Sequence, residues 1–269
     1  MQQMLLGLKT VASNNFTGVT DNLAVHWDFG DSNCWSGGTS VTDLTGNGNG
    51  GTLVGDTGNA DATDFSAQTD NGGFIRFSTD KDDHPKIRRD GTDFFDSITD
   101  DDFTLEFWIR PFWNSTVSGH ENFHIYTNYQ NNSTQNLRLV LRHATNIRLR
   151  GPLQGTWTYF TTGNAFNISQ NNYASNWSHV VLTRGDTTSS TYKIYINNSN
   201  VFTTTTVSGN YGAASAAGDR VIGGSSTDSD SESNRYQGDL AVYRFYNGKA
   251  LTSTEVATNY NVSASRFGL

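Results

Sequence analysis

The most specific catalytic pattern in the sequence is His120-Glu121-Asn122-Phe123-His124, which matches the His-Glu-x-x-His signature of zinc proteases. That signature requires a helix, because only there do two histidines one turn apart converge on one metal ion. The segment continues as Ile-Tyr-Thr at 125–127, which favours a strand. In an extended chain the two histidines would lie roughly 13 Å apart. We therefore predict a strand here and no zinc site.

Other catalytic constellations are missing from the sequence. Its four glutamates, at positions 106, 121, 232 and 255, form no clustered pair of the kind that glycoside hydrolases use. Neither a Gly-x-Ser-x-Gly elbow nor a Gly-Lys-Ser/Thr phosphate loop occurs. Cys34 is the single cysteine, so we expect no internal disulfide and a small buried thiol rather than a nucleophile. We predict a protein that is not an enzyme, and a hydrolase using Glu106 or Asp239 is the weakest alternative.

Arginine is concentrated between residues 103 and 184. This segment has six arginines, no lysine and two glutamates, hence a net charge of +4 in a chain of net charge −8. Strand alternation predicts that the arginines share one outward face, where guanidinium groups can bind carboxylate or sulfate and aromatic rings can stack on sugars. The candidate contacts for carbohydrate or a partner are Trp108, Arg110, Arg138, Arg142, Arg148, Arg150 and Tyr195. The alternative is an ordinary solvated face whose long side chains cover apolar neighbours.

One acidic loop is a candidate calcium site. Asp228, Asp230 and Glu232 supply the oxygen ligands that hard cations prefer, although no EF-hand pattern is present. The alternative is a solvated connection, because aspartate is a common loop residue. Apart from this candidate structural calcium we expect no cofactor.

Short segments in which apolar and polar residues alternate are predicted to position these candidate residues on β-strands. The strongest predicted strand covers residues 103–111, and a hairpin pairs 177–184 with 191–197. Further strands are predicted at 23–29, 73–77, 137–142, 147–150, 156–160, 219–224 and 236–246. The inward positions are Leu23, Val25, Trp27 and Phe29 in the first strand, Phe103, Leu105, Phe107 and Ile109 in the strongest, and Tyr192, Ile194 and Ile196 in the hairpin. The opposite faces are expected to be free for contact.

The two ends of the chain differ from this pattern. Thr252-Ser253-Thr254-Glu255 matches a capping box and predicts one short helix from Glu255 to about Tyr260. Residues 1–22 have no long periodicity and form a predicted N-terminal arm, with 23–269 as a single domain. The apolar residues of the arm that would dock on this domain or a neighbouring subunit are Met4, Leu5, Leu6 and Leu8.

The composition of the sequence indicates where the protein is made and where it is exposed. Only 16% of the residues are charged and Asn, Ser and Thr are abundant, which is typical of an exposed surface. No run of 18 apolar residues could span a membrane, and the start lacks the basic region of a secretory signal. The acidic net charge disfavours nucleic acid as a partner. A phage virion protein made in the cytoplasm of a bacterial host satisfies these observations, and an extracellular protein whose signal has been removed is the alternative.

Five motifs occur in a characteristic order, at residues 43–53, 107–111, 177–181, 194–198 and 238–255. Together they resemble the laminin-G-like, concanavalin A-like jelly-roll superfamily over residues 23–261, although Asn198 stands where relatives usually have glycine. The resemblance implies an all-β sandwich of two curved antiparallel sheets, ligands on the concave face or rim loops, and often a structural calcium. The fold serves lectins, adhesion modules, glycan hydrolases and virion proteins, so it does not fix the function.

These observations predict a non-enzymatic virion structural or surface protein with a lectin-like jelly roll, as a capsid decoration, fibre or tail component. We expect it to contact other virion subunits and host glycans, and to act as a homo-oligomer or as part of a larger assembly. The alternatives are a secreted carbohydrate-binding lectin module and, third, a glycan hydrolase.

Overall fold

The computed structural model describes residues 16–55, 65–78, 86–89, 102–113, 123–128, 137–142, 146–150, 158–159, 166, 172–185, 191–204, 220–224 and 236–269. Across these residues the chain forms two antiparallel sheets and one α-helix near its C-terminus. The predicted all-β fold with two antiparallel sheets and a single short helix is therefore confirmed. No helix in this part of the chain is both long and apolar enough to cross a membrane.

Most of the strands are short, and neighbouring strands pair in antiparallel orientation. In chain order they are β1 (Leu23–Asp28), β2 (Ser40–Val41), β3 (Gly51–Val54), β4 (Phe65–Gln68), β5 (Phe74–Phe77), β6 (Lys86–Arg89), β7 (Phe103–Trp113), β8 (Phe123–Asn128), β9 (Leu137–Arg142), β10 (Asn146–Arg150), β11 (Thr158–Tyr159), β12 (Asn172–Tyr173), β13 (Ser178–Gly185), β14 (Thr191–Ile196), β15 (Ser199–Thr204), β16 (Arg220–Ile222) and β17 (Gly238–Asn247).

Two sheets account for all of these strands. The first sheet has nine described strands in the order β15-β14-β13-β7-β17-β5-β4, with β1 paired to β17 and β12 paired to β7. The second has eight described strands in the order β11-β10-β9-β8-β16-β6-β3-β2. The two longest strands, β7 and β17, are neighbours in the first sheet, so strands from the middle and the end of the chain form its centre.

The largest apolar cluster contains inward residues from both sheets, as the alternation predicts. The predicted inward residues of β7 and β14 all belong to it, together with Leu139 and Leu141 of the second sheet. Leu23 is an exception, because an irregularity in the register between Leu23 and Val25 interrupts the alternation of β1. Leu23 therefore packs in a separate cluster with Tyr246 and Val256, and its predicted inward position is wrong.

A tight turn joins β14 to β15. Asn197 and Asn198 have φ values of 47° and 63°, in the left-handed region that asparagine tolerates better than most residues. Two such residues in succession are typical of the turn that suits the twist of a two-residue hairpin. Asparagine at position 198 therefore adopts the conformation for which glycine is the usual residue.

The single described helix, α1 (Ser253–Ala264), is twice as long as predicted and begins two residues earlier, but it has the predicted cap. The hydroxyl of Thr252 accepts a hydrogen bond from the backbone of Glu255, and the Glu255 carboxylate accepts one from the backbone of Thr252. This reciprocal cap satisfies two backbone donors that would otherwise lack partners. A 3-10 turn, Ser265–Phe267, continues the helix and packs with it on the first sheet.

Candidate functional site

The prediction that the outer face of the nine-stranded sheet is free for contact is wrong in its centre. Trp108 points to that face as expected, but it is 0% exposed. The Phe267 ring stacks on it with centroids 4.3 Å apart, and Tyr260 of α1 stacks at 5.8 Å. Helix α1 and the 3-10 turn therefore bury Trp108, so it cannot contact a ligand as predicted.

Tyr195 is a second candidate contact that the structure corrects. Its side chain also points away from the main core, but it is buried in the cluster that contains Leu251 and Val256. This cluster fills the space between β14, β17 and the start of α1. Burial also raises the pKa of Tyr195, as expected for a phenol removed from water.

The predicted arginines do not share one face. Arg110 and Arg184 lie on β7 and β13 of the first sheet, and Arg184 is buried. The remaining four belong to β9 and β10 of the second sheet, where the register pairs Arg138 with Arg150. The side chains of Arg138, Arg142, Arg148 and Arg150 lie outside the described part of the structure, so their predicted contacts are not tested.

Other predicted site residues also fall outside the described ranges. These are the arm residues Met4, Leu5, Leu6 and Leu8 and the acidic residues Asp228, Asp230 and Glu232. His120 of the zinc-protease pattern, for which we predict no zinc site, also lies outside these ranges. Within the described ranges, no three His, Cys, Asp or Glu side chains are placed to hold a metal ion. The second histidine of that pattern, His124, lies in strand β8, as predicted. Cys34 is buried, which confirms that prediction.

A buried polar network lies under α1. Glu106 accepts hydrogen bonds from Arg244 at 2.5 Å and from Asn259 of the helix at 2.7 Å, and its Oε1 is 3.0 Å from Nε2 of His179. Burial alone would raise the pKa of Glu106, but its contacts with Arg244, His179 and Asn259 lower it to about 2. This carboxylate is therefore ionised, paired and closed to solvent.

The network also holds the described end of the predicted arm. The Asn259 side chain accepts a hydrogen bond from the backbone of Val19, and the Tyr246 hydroxyl donates to the Val19 carbonyl, both at 2.9 Å. The Arg244 guanidinium lies 3.7 Å from the centroid of the Phe16 ring, a cation–π contact. Residues 16–22 therefore pack on their own domain, beside α1.

At the opposite end of this face, charged side chains meet across three strands. Asp239 of β17 is the cross-strand partner of both Arg76 on β5 and Arg110 on β7. Arg76 donates to its two carboxylate oxygens at 2.7 and 3.1 Å, and Arg110 donates twice to Oδ2 at 2.9 and 2.7 Å. One carboxylate therefore holds two guanidinium groups in fixed positions.

Aromatic rings surround these two arginines. The Arg76 guanidinium is 4.5 Å from the centroid of the Tyr173 ring, and that of Arg110 is 5.3 Å from it. Tyr173 is half-buried on the short strand β12, with its ring 4.9 Å from Phe112. The Arg76 and Arg110 side chains are 30% and 23% exposed, whereas Asp239 is fully buried. We call Arg76, Arg110, Tyr173 and Asp239 the Arg–Tyr corner.

The Arg–Tyr corner combines one predicted contact residue, Arg110, with three others that the sequence did not assign to contact. The only signal for Arg76 is its outward position between Ile75 and Phe77, which both face the core. Asp239 is 163 positions from Arg76 and 129 from Arg110, so only the strand order brings the three together. In chemical terms, the corner can bind an anion beside an aromatic ring.

Solved structures with similar folds include a domain of an arabinanase and two toxins. Domain 4 of AbnA, a GH43 extracellular arabinanase from Geobacillus stearothermophilus solved with arabinotriose, has a TM-score of 0.58 and 18% identity, covering 90% of this chain and 98% of that one. The binding domain of Paraclostridial Mosquitocidal Protein 1 has a TM-score of 0.59 and 18% identity over 89% of this chain. Botulinum neurotoxin type C, whose cell entry depends on interaction with two ganglioside molecules, has a TM-score of 0.60 and 14% identity over 89% of this chain.

These likenesses establish the fold. This chain spans about half the length of the two toxin chains, 52% and 51%. No curated protein matches this chain in sequence. The family profile described as the concanavalin A-like lectin/glucanases superfamily matches residues 90–257, which is more than half of the chain. The chain therefore belongs to the concanavalin A-like lectin/glucanases superfamily.

Proposed function

We propose that this protein is a non-enzymatic carbohydrate-recognition domain that uses the Arg–Tyr corner as a contact surface. The observation that carries the proposal is the partly exposed Tyr173 ring in contact with two fixed guanidinium groups. Sugar rings present apolar C–H faces that pack on aromatic rings, and their hydroxyl oxygens accept hydrogen bonds from arginine. The arabinotriose in the structure of the AbnA domain supports a carbohydrate ligand for a chain of this fold.

The state of two carboxylates supports binding rather than hydrolysis. A glycoside hydrolase needs an acid and a base that reach the glycosidic bond. Glu106 is sealed under α1 with its pKa lowered to about 2, so it holds no proton to donate at neutral pH. Asp239 is fully buried and accepts bonds from two arginines. Neither residue of the hydrolase alternative is therefore placed to act on a bound sugar.

A glycan array with the purified protein tests this proposal. We expect binding to a subset of glycans, lost in Tyr173→Ala and retained in Tyr159→Ala, which removes a tyrosine from the other sheet. Binding is expected to persist in EDTA, because we propose that no cofactor takes part in recognition. An array without any bound glycan would refute the proposal, and release of sugar from a bound glycan would refute its non-enzymatic part.

The finer proposal is that the domain is displayed on a virion, as a capsid decoration, fibre or tail component that also contacts other subunits. The abundance of Asn, Ser and Thr and the low charge support an exposed surface. Imaging of purified phage particles with the protein labelled tests this location. The label should appear on the particle surface, and its absence from intact particles would contradict the virion role without affecting sugar recognition.

A further inference from the structure

We propose that the Arg–Tyr corner selects acidic sugars by binding their carboxylate with Arg76 and Arg110 while the sugar ring contacts the exposed part of Tyr173. This inference rests on the proposed function and adds the class of ligand. It does not follow from the fold, because the corner depends on residues from β5, β7, β12 and β17 that meet only through the register of this chain.

The first argument concerns the N–H donors of Arg76 and Arg110 that do not bind Asp239. Each arginine uses Nε and Nη2 to hold Asp239, and the Nη1 groups make no hydrogen bond to the described residues. A guanidinium carries five N–H donors, two of them on Nη1. The two arginines therefore retain several N–H donors beyond those that bind Asp239.

The second argument is charge. Two guanidinium groups face one carboxylate, so the Arg–Tyr corner has a net charge of +1 in a chain of net charge −8. The Asp239 carboxylate is buried while both arginines are partly exposed, so solvent reaches the positive groups and not the negative one. Asp70 also attracts Arg76 electrostatically, but it forms no ion pair with it. An anion at the two partly exposed guanidinium groups thus meets positive charge, while the buried Asp239 carboxylate stays out of its reach.

The third argument is rigidity. Ordering a free arginine at an interface costs side-chain entropy, and this cost is reduced when the group is already held in position. Here, Asp239 and the Tyr173 ring fix both guanidinium planes before any ligand arrives. Planar, delocalised guanidinium groups match the two oxygens of a carboxylate, which a point charge such as lysine does not.

Binding can be measured by isothermal titration calorimetry with two matched pairs of sugars. The first pair is a galacturonic acid trisaccharide and its methyl ester, which differ in charge and by the methyl group on each carboxyl. The second is sialyllactose and lactose. We expect at least one acidic sugar to bind about tenfold more tightly than its neutral counterpart, since hydrogen bonds to a charged group are among the strongest.

Two variants and a control locate the effect. Arg76→Gln and Tyr173→Ala are each expected to reduce affinity for the acidic sugar by about tenfold. Lys249→Gln also removes one positive charge, but from a lysine that pairs with Glu255 near the start of α1. Measured at the same ionic strength, it should change the affinity by less than about twofold. Arg110 remains to pair with Asp239 in Arg76→Gln, and Tyr173→Ala leaves both ion pairs intact, so at least one variant should fold.

The outcomes separate the two proposals. Loss of acidic-sugar binding in both corner variants, with retention in Lys249→Gln, supports the inference. Equal affinity for the acid and its ester, or unchanged affinity in a folded Arg76→Gln, overturns it while sugar recognition stands. Absence of binding to any sugar, on the array and by calorimetry, overturns the proposed function and this inference together.

Discussion

Replacing Asn259 by alanine is expected to lower the free energy of unfolding by about 3 to 4 kcal/mol. The Asn259 side chain donates to Glu106 at 2.7 Å and to the Tyr246 hydroxyl at 2.8 Å, and accepts from the backbone of Val19 at 2.9 Å. Asn259 is fully buried, so water cannot replace these bonds without reorganisation.

The magnitude follows from the kind of bond lost. A hydrogen bond to a charged group contributes about 2 kcal/mol, and each of the two neutral bonds about 1 kcal/mol. The higher helix propensity of alanine returns a few tenths of a kcal/mol. Asn259 also helps to lower the pKa of Glu106, so the stability that Glu106 loses as the pH falls below 4.5 should be smaller in Asn259→Ala than in the unmodified protein.

Urea denaturation followed by tryptophan fluorescence measures this change, with the midpoint and slope analysed together. Asn261→Ala is the matched control, because it makes the same substitution at an exposed position of the same helix. We expect it to alter the free energy of unfolding by less than about 0.5 kcal/mol. A loss below about 1 kcal/mol in Asn259→Ala would refute the structural role assigned to this side chain.

Three further predictions concern acid, the helix cap and one glycine. Burial and Arg244 lower the pKa of His26 from 6.5 to about 2, so below pH 6.5 only the unfolded state takes up this proton. As the pH is lowered below 6.5, the free energy of unfolding should therefore fall by about 1.4 kcal/mol per pH unit, and more steeply below pH 4.5, where Glu106 contributes. Urea denaturation at several pH values measures this, and a free energy that does not change with pH would contradict it. Thr252→Ala should cost about 1 kcal/mol in the same assay by removing the cap, and an unchanged midpoint would count against it. Gly223→Ala should lower the free energy of unfolding more than Gly37→Ala does. Both glycines have φ near +95°, but only a methyl group at position 223 would collide with a buried ring, so equal decreases for the two variants would contradict this reason.

The sequence predicts the core of this protein well, because the signal is local. Alternation assigns Phe103, Leu105 and Ile109 to the inner face of β7 without reference to any other part of the chain, and the structure agrees. The capping box likewise needs only Thr252 and Glu255, which are three residues apart. Both features depend on backbone geometry within a few residues, so they can be read before the fold is known.

The burial of the outer face of the nine-stranded sheet by α1 could not be predicted in the same way. The buried residues of α1 are Val256, Asn259, Ser263 and Ala264, so its inner side is half polar and shows no apolar stripe. The helix packs through hydrogen bonds to Glu106 and Tyr246 as well as through apolar contacts, and those partners are remote in sequence. The Arg–Tyr corner was missed for a related reason, since the pairing of Asp239 with Arg76 depends on strand register.

The hydrogen bond between the Val19 backbone and the Asn259 side chain has a consequence for local unfolding. Because the segment 16–22 and helix α1 share the hydrogen bonds around Tyr246 and Asn259, neither can lift from the sheet without breaking bonds of the other. They should therefore open as a single cooperative unit. In native-state hydrogen exchange, the amides of Val19 and of the middle of α1 would then share one opening free energy, although about 240 residues of chain separate them.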